Sequence, residues 1–215
     1  MMPLAVLFLL LIQPPSTATV SGRVELGQAR IQASANRPQS RYARGRTSET
    51  AKAAVPIVVW IEGTGAQSRP ASASPVLNQK DTQFEPRMIV VVAGQKVRIM
   101  NSDPIYHNVF SLSDVKRFNV GRRPAGEHVD VLFDKPGEVS VFCDIHSSMN
   151  ATIRVLPAST AQWVVLDGDG AFRLANLPAG RYSVHVAAPG YAELRQTVTL
   201  AAGQRLEMDA FVLEP

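Results

Sequence analysis

The alternation of apolar and polar residues divides the chain into short extended segments. Apolar and polar residues alternate in residues 20–26. They also alternate in residues 128–133, where the pattern places the apolar side chains on one face. His128 points to the opposite face and is predicted to be exposed. Residues 84–156 show no 3.6-residue helical period, and glycine, proline and aspartate cluster between the extended segments. The pattern predicts an all-β protein.

Predicted strands follow one another at short intervals through the middle of the chain. A turn-rich segment at residues 119–126 separates the third strand from the fourth. The strands cover residues 88–92, 96–100, 107–110, 128–133, 138–142 and 151–155. Short strands with frequent turns favour a β-sandwich.

A second series of strands begins near residue 160. Residues 163–166 and 171–174 flank Asp167-Gly-Asp-Gly170 and are predicted to form a hairpin, because aspartate and glycine favour such turns. A calcium ion on the two aspartates is the alternative. His185 lies within a later strand and has no other ligand residue beside it. The later strands cover residues 181–187, 193–200 and 204–213.

Composition and charge narrow the class of protein. The 215 residues are 46% hydrophobic and 19% charged, enough for one large domain or two small ones. The net charge of +4 favours acidic partners but gives no nucleic-acid-binding footprint. The single cysteine excludes a disulfide within the chain, so its presence in an exported protein needs another explanation, such as metal binding.

The N-terminal segment has the features of a secretory signal peptide. Residues 3–12 are apolar but too few to span a membrane, and Ser16 and Ala18 fit a cleavage site after Ala18. We expect residues 1–18 to be removed, which leaves an exported chain without a membrane span; an uncleaved anchor is the alternative. Residues 34–52 are basic and are predicted to form a mobile loop, or a docking segment for an acidic partner.

The only cysteine lies in a short loop with two more potential metal ligands. Cys143 follows one predicted strand, His146 comes three residues later, and Met149 lies just before the next strand. Side chains alternate along a strand, so Cys143 can turn its sulfur inward while the loop brings His146 back towards it. A third strong donor must come from a distant segment, and His107, 36 positions upstream of Cys143, can supply it.

One thiolate, two imidazoles and one thioether form the ligand set of a blue copper site. Each residue alone is ambiguous. A lone cysteine is usually a small buried apolar residue, and a Cys-x-x-His pair also occurs in zinc sites. The four residues together favour copper, with zinc or no metal as the alternatives.

These residues resemble a known family. The loop from Cys143 through His146 to Met149, together with His107-Asn108, is similar to the plastocyanin, azurin and amicyanin group of cupredoxins. The resemblance implies that both histidines and the cysteine are equatorial copper ligands and that Met149 is the axial ligand. It also implies that Asn108 hydrogen-bonds the cysteine-bearing loop.

The resemblance covers roughly residues 78–156, and its wider run of residues 84–149 also resembles methylamine-utilisation proteins. One departure concerns the loop. Amicyanin-type loops carry prolines beside the histidine, whereas Ile145 and Ser147 flank His146 here. The resemblance therefore implies the same ligand set in a less rigid loop.

The C-terminal residues resemble a second family, the carboxypeptidase regulatory-like, transthyretin-like sandwich. The likeness rests on the Asp-Gly-x-Phe motif ending at Phe172, the Leu-Pro-x-Gly-x-Tyr motif ending at Tyr182, and the Pro-Gly-Tyr motif ending at Tyr191. The resemblance implies a structural or interaction module without enzymatic activity.

Two strands that normally begin such a module occur far upstream, within residues 19–63. We therefore hypothesise that a copper domain at residues 75–157 is inserted into a β-sandwich that is completed by residues 160–215. In the rival arrangement, residues 55–62 form the first strand of the copper domain and the C-terminal module is independent.

The cupredoxin resemblance implies a type 1 copper protein that carries single electrons between periplasmic redox protein partners and is not an enzyme. The alternatives are copper binding without redox traffic, and a structural or interaction module with a vestigial metal site. Cys143 lies at a strand end and lacks the electropositive setting of a nucleophilic cysteine. Four histidines are too few for a multicopper oxidase.

The resemblance also implies a docking surface. The imidazole edge of His146 is expected to be the only ligand surface in contact with solvent. An apolar patch of Ile105, Tyr106, Ile145 and Ser147 is expected to surround this edge. A small, weakly charged patch suits brief contact with a redox partner.

Overall fold

The structure is a computed structural model that describes residues 17–27, 55–63 and 74–215. These residues form strands and no helix, so the predicted all-β class is confirmed. Residues 1–16 of the signal peptide predicted at residues 1–18, and the basic loop of residues 34–52, lie outside the described residues. In the described part of the chain, no helix is long and apolar enough to cross a membrane.

Seventeen short strands make up the described part of the chain. The first eleven are β1 (Ala18–Leu26), β2 (Pro56–Gly63), β3 (Val76–Lys80), β4 (Gln83–Glu85), β5 (Met88–Val92), β6 (Gln95–Asn101), β7 (His107–Ser113), β8 (Lys116–Arg123), β9 (His128–Phe133), β10 (Gly137–Cys143) and β11 (Asn150–Leu156). The others are β12 (Thr160–Asp167), β13 (Gly170–Leu177), β14 (Gly180–Ala187), β15 (Leu194–Leu200), β16 (Arg205–Glu207) and β17 (Phe211–Leu213).

Strands β3 to β11 form one β-sandwich, hereafter the central sandwich. One sheet has the strand order β5-β11-β10-β7-β8 and the other the order β4-β3-β6-β9. Alternate residues such as Val97 and Ile99 of β6, and Val139 and Val141 of β10, are buried in the core between the sheets. Burying one such side chain stabilises the fold by about 1.5–3 kcal/mol.

Strands β1, β2 and β12 to β17 form a second sandwich, hereafter the flanking sandwich. One sheet has the order β12-β2-β14-β15, and in the other sheet β13, β16 and β17 all pair with β1. Trp60 of β2 is opposite Trp163 of β12 on one side and His185 of β14 on the other. The strand of residues 56–63 therefore lies inside the flanking sandwich, which is the pairing that the inserted arrangement requires.

The apolar run of β2 is buried on both faces. Every residue from Ile57 to Ile61 is at most 2% exposed. Alternate side chains face the core of the flanking sandwich, whereas Val58 and Trp60 face the central sandwich, where they meet Leu156 of β11. A strand covered on both faces is apolar throughout rather than alternating, which explains the unbroken Ile-Val-Val-Trp-Ile sequence.

The turn predicted at residues 119–126 is wrong over its first half, because residues 116–123 form strand β8. Gly121 has a φ of +72°, and the register between β7 and β8 shifts between Asn108 and Phe110. The strand therefore contains a bulge that glycine accommodates. The glycine that suggested a turn lies within a strand.

The hairpin predicted around residues 167–170 is also wrong. Strands β12 and β13 flank this turn but lie in different sheets, β12 beside β2 and β13 beside β1. The turn carries the chain from one sheet to the other. Asp169 accepts a hydrogen bond of 2.8 Å from the Leu26 N–H, so its carboxylate ties the turn to the end of β1.

Candidate metal centre

Cys143 lies at the end of β10, at the edge of the central core. It pairs with Val109 of β7 and is 3% exposed. Val139, Val141 and Cys143 are all buried along the same strand, because alternate side chains share one face. The strand thus turns Sγ inward, as the sequence predicted.

Three potential ligand atoms converge at this point. Cys143 Sγ lies 3.6 Å from His107 Nδ1, which lies 3.2 Å from His146 Nδ1. All three atoms lie within 4.8 Å of one another. Metal bonds of about 2.0–2.3 Å in tetrahedral geometry separate two nitrogens by about 3.3 Å, and a nitrogen from a sulfur by about 3.6 Å. The two distances from His107 Nδ1 fit a metal ion held by two imidazoles and a thiolate.

Backbone hydrogen bonds fold the loop that carries these ligands. The Met149 N–H donates to His146 O at 3.0 Å, and the Cys143 N–H donates to Met149 O at 3.4 Å. Met149 is 1% exposed and belongs to the same core cluster as Cys143. The loop therefore brings Cys143 and His146 to His107 and places Met149 in the core beside them.

Asn108 links β7 to the residue after Cys143. Its Nδ2 donates to Asp144 Oδ2 at 2.9 Å, and the Asp144 N–H donates to Asn108 O at 3.3 Å. Asn108 is itself buried. These two bonds tether the start of the ligand loop, which is the type of contact expected of Asn108.

Asp103 is a site residue that the sequence pattern did not reveal. Its Oδ2 lies 2.7 Å from His107 Nε2, the ring nitrogen that does not face Cys143. Burial alone would raise the pKa of Asp103, but hydrogen bonds from the Thr82 N–H, His107 and the Asp81 N–H together lower this pKa. The only sequence feature that could have indicated this role is the pair Asn101 and Asp103, in Asn-Ser-Asp-Pro shortly before His107.

The predicted ligand residues differ in their contact with solvent. His107, Cys143 and Met149 are at most 3% exposed, whereas His146 is partly exposed. Solvent therefore reaches this group of four through the His146 side chain.

Exposed residues lie beside both histidines in the sequence. Ile105 and Tyr106 precede His107 and are 42% and 59% exposed, and Ile145 precedes His146 and is 40% exposed. Ser147 is also exposed. All four residues predicted for partner docking are thus accessible.

The two remaining histidines lie outside this cluster. His128 is exposed on β9, as predicted. His185 is buried in β14, with Nδ1 3.1 Å from Glu193 and Nε2 3.3 Å from Glu62. Both ring nitrogens of His185 are occupied by carboxylates of the flanking sandwich or its loops.

Two family models match the sequence. Residues 72–156 match the copper binding proteins of the plastocyanin/azurin family, and residues 147–214 match the carboxypeptidase regulatory-like domain. The second match does not include β1 or β2, although both strands pair within the flanking sandwich. No curated protein matches the sequence.

Several solved structures resemble part of the chain. A copper-containing nitrite reductase from Thermus scotoductus is 22% identical over 40% of this chain and 25% of its own, with a TM-score of 0.37. The chain thus spans a quarter of that enzyme. Amicyanin from Paracoccus versutus is 18% identical over 44% of this chain and 96% of its own, with a TM-score of 0.36.

A purple cupredoxin from Nitrosopumilus maritimus is 17% identical over 38% of this chain and 99% of its own, with a TM-score of 0.35. The two family matches agree with the two resemblances found in the sequence. The chain therefore carries one segment, residues 72–156, that matches the copper-binding plastocyanin/azurin family model, and another, residues 147–214, that matches the carboxypeptidase regulatory-like model.

Proposed function

We propose that this chain is a type 1 copper protein that carries single electrons between redox proteins. The observation that carries the proposal is the convergence of His107 Nδ1, His146 Nδ1 and Cys143 Sγ within 4.8 Å at the edge of a β-sandwich core. Two imidazoles and a thiolate form the strong donor set of such a site. The match of residues 72–156 to a copper-binding family supports copper over zinc.

In this proposal His107, Cys143 and His146 are the equatorial ligands and Met149 is the weak axial ligand. Bound copper supplies one-electron redox chemistry by alternating between Cu(II) and Cu(I). The chain contributes a fixed set of donors. His107 begins β7 and Cys143 ends β10. These two strands pair with each other, so the sheet sets the positions of both residues.

Burial of three of the four residues suits electron transfer rather than ligand exchange. His107, Cys143 and Met149 are almost inaccessible to water, and hydrogen bonds fold the loop that connects Cys143 to Met149. A site held in this way changes little when its charge changes, which keeps the reorganisation on electron transfer small. The burial of these three residues also limits the access of a substrate to the metal, which favours a carrier over an enzyme.

The partly exposed His146 is the proposed exit for electrons. The exposed residues Ile105, Tyr106, Ile145 and Ser147 lie in the same two loops and form the proposed docking patch. Such a patch binds a partner briefly, because it is small and carries no charge. We further propose that the protein works after export, in a periplasm, where its redox protein partners would be found.

Electron exchange at this patch can be tested with a charge substitution. Ile105→Glu should slow electron self-exchange by about fivefold or more, because two molecules would meet through like charges. The matched control is Leu112→Glu, which adds the same charge at a residue that is 71% exposed. Leu112 is five residues along β7 from His107, about 16 Å away.

Self-exchange rates are measured by NMR line broadening in mixtures of oxidised and reduced protein with an intact copper spectrum. A slow Ile105→Glu variant beside an unchanged Leu112→Glu variant would support the proposed exit. Rates of Ile105→Glu within about twofold of wild type would contradict it. A wild-type protein that binds copper but exchanges no electrons would favour copper binding without redox traffic.

A further inference from the structure

Asp103 lies between His107 of the candidate metal centre and the β3–β4 hairpin, which is more than 20 residues away in the sequence. Its Oδ2 lies 2.7 Å from His107 Nε2, while Nδ1 of the same ring lies 3.6 Å from Cys143 Sγ. Asp103 is 5% exposed and His107 is fully buried. A buried carboxylate therefore contacts the imidazole on the side away from the ligand cluster.

The turn between β3 and β4 holds this carboxylate. The Asp81 N–H donates to Oδ1 at 2.6 Å and the Thr82 N–H donates to Oδ2 at 3.0 Å. Both turn residues have positive φ angles, 52° and 55°, a left-handed conformation that is uncommon for residues with side chains. This conformation aims two successive N–H groups at Asp103, so the hairpin and the carboxylate stabilise each other.

Asn101 fixes Asp103 from the other side. Its Oδ1 accepts a hydrogen bond of 2.9 Å from the Asp103 N–H, and its Nδ2 donates to Ile105 O at 2.8 Å and Arg123 O at 2.9 Å. Asn101 is fully buried. Two backbone N–H groups thus hold the carboxylate besides His107, and Asn101 holds the Asp103 backbone, so the carboxylate has little freedom to turn away.

We propose that Asp103 is a positioning residue that keeps His107 in its Nε2–H tautomer and thereby stabilises Cu(II) relative to Cu(I) at the site. Accepting the Nε2 proton leaves the Nδ1 lone pair free to bind a metal and makes the imidazole more basic. A more basic ligand stabilises the more highly charged ion, so Asp103 should lower the reduction potential. This inference rests on the proposed copper function.

The test is the reduction potential of Asp103→Asn in the copper-loaded full chain. We expect the ratio of Cu(II) affinity to Cu(I) affinity to fall at least tenfold, which raises the potential by about 59 mV for a one-electron couple. The matched control is Asp114→Asn, which removes the same charge from a side chain that is 91% exposed. Asp114 follows the end of β7, seven residues from His107, so the ratio should change less than about threefold.

A coloured Asp103→Asn variant with a ratio within about twofold of wild type would overturn the proposal and leave Asp103 a structural residue. The wild-type apoprotein provides a second measurement if the variant does not fold. Long-range ¹H–¹⁵N spectra of the reduced apoprotein should show neutral His107 as the Nε2–H tautomer. An Nδ1–H tautomer would overturn the proposal.

The two proposals fail in distinguishable ways. A wild type without an intense Cu(II) thiolate band contradicts the copper function, whereas the apoprotein tautomer still reports on the contact between Asp103 and His107. A blue wild type with an unresponsive Asp103→Asn variant contradicts only the role of Asp103.

Discussion

The guanidinium carbon of Arg154 lies 5.0 Å from the ring centroid of Trp60, and this contact joins the two sandwiches. Arg154 belongs to β11 of the central sandwich and Trp60 to β2 of the flanking sandwich. Arg154 also pairs with Glu193 and lies 4.0 Å from Glu138. A cation over an indole face is attracted by the ring quadrupole, and more strongly when both are shielded from water.

Arg154→Ala is expected to lower the free energy of unfolding by about 1–3 kcal/mol, because it removes the contact with Trp60 and leaves Glu193 without one partner. Urea denaturation followed by tryptophan fluorescence measures the change. The control is Arg98→Ala, since Arg98 pairs with Asp130 on the exposed surface and such pairs contribute little. Equal stability of the two variants would contradict the role of Arg154.

The acid sensitivity of the same interface follows from Glu193. The hydrogen bond from His185, with the nearby charge of Arg154, lowers the pKa of Glu193 from its usual 4.5. A carboxyl whose pKa is lower in the folded protein stabilises the fold above its unfolded pKa, and this contribution is lost as the pH falls through the folded pKa.

Stability should therefore decrease as the pH falls below about 4.5, and part of that decrease should be absent in Glu193→Gln. Denaturation curves at a series of pH values measure the two slopes. The other charged groups of this cluster, Glu62 beside His185 and Glu138 beside Arg154, are unchanged in the variant. Parallel slopes for the variant and the wild type would exclude Glu193 as the cause.

The ligand loop could be predicted from the sequence because its information is local. A cysteine at a strand end, a histidine three residues later and a methionine before the next strand lie within seven residues. His107 followed from the need for one more donor. The structure brings His107, Cys143 and His146 together.

Asp103 could not be found in this way, because its role depends on contacts between separate segments. Thr82 contacts it from 21 residues away through a left-handed turn, and threonine carries no sequence signal for such a turn. The β3–β4 hairpin was missed for the same reason.

Strand pairing in the flanking sandwich could also be predicted only in part from the sequence. Strand β2 was recognisable from its apolar residues, and the upstream motifs suggested where it pairs. The hairpin predicted around Asp167 failed because a turn that crosses between sheets uses the same aspartate and glycine residues as a turn that pairs adjacent strands. Pairing partners are set by the packing of the whole sandwich, which local turn chemistry does not encode.

Met149 is expected to tune the site without holding the metal alone. Met149→Leu keeps an apolar side chain of similar size in the buried position, so copper and colour should be retained while the reduction potential rises. Voltammetry measures the potential, and metal analysis measures copper content. His107→Ala is the comparison, since loss of an equatorial donor should remove copper; equal copper loss in both variants would exclude an axial role for Met149.

The visible absorption spectrum of the Cu(II)-loaded chain tests the blue copper assignment most directly. Charge transfer from the Cys143 thiolate in a site with two imidazoles should give an intense blue or green protein. Cys143→Ser, which changes one buried atom at the end of β10, should abolish this band entirely. A loaded wild type with only weak bands, or an intense band that persists in Cys143→Ser, would contradict a copper site built on Cys143.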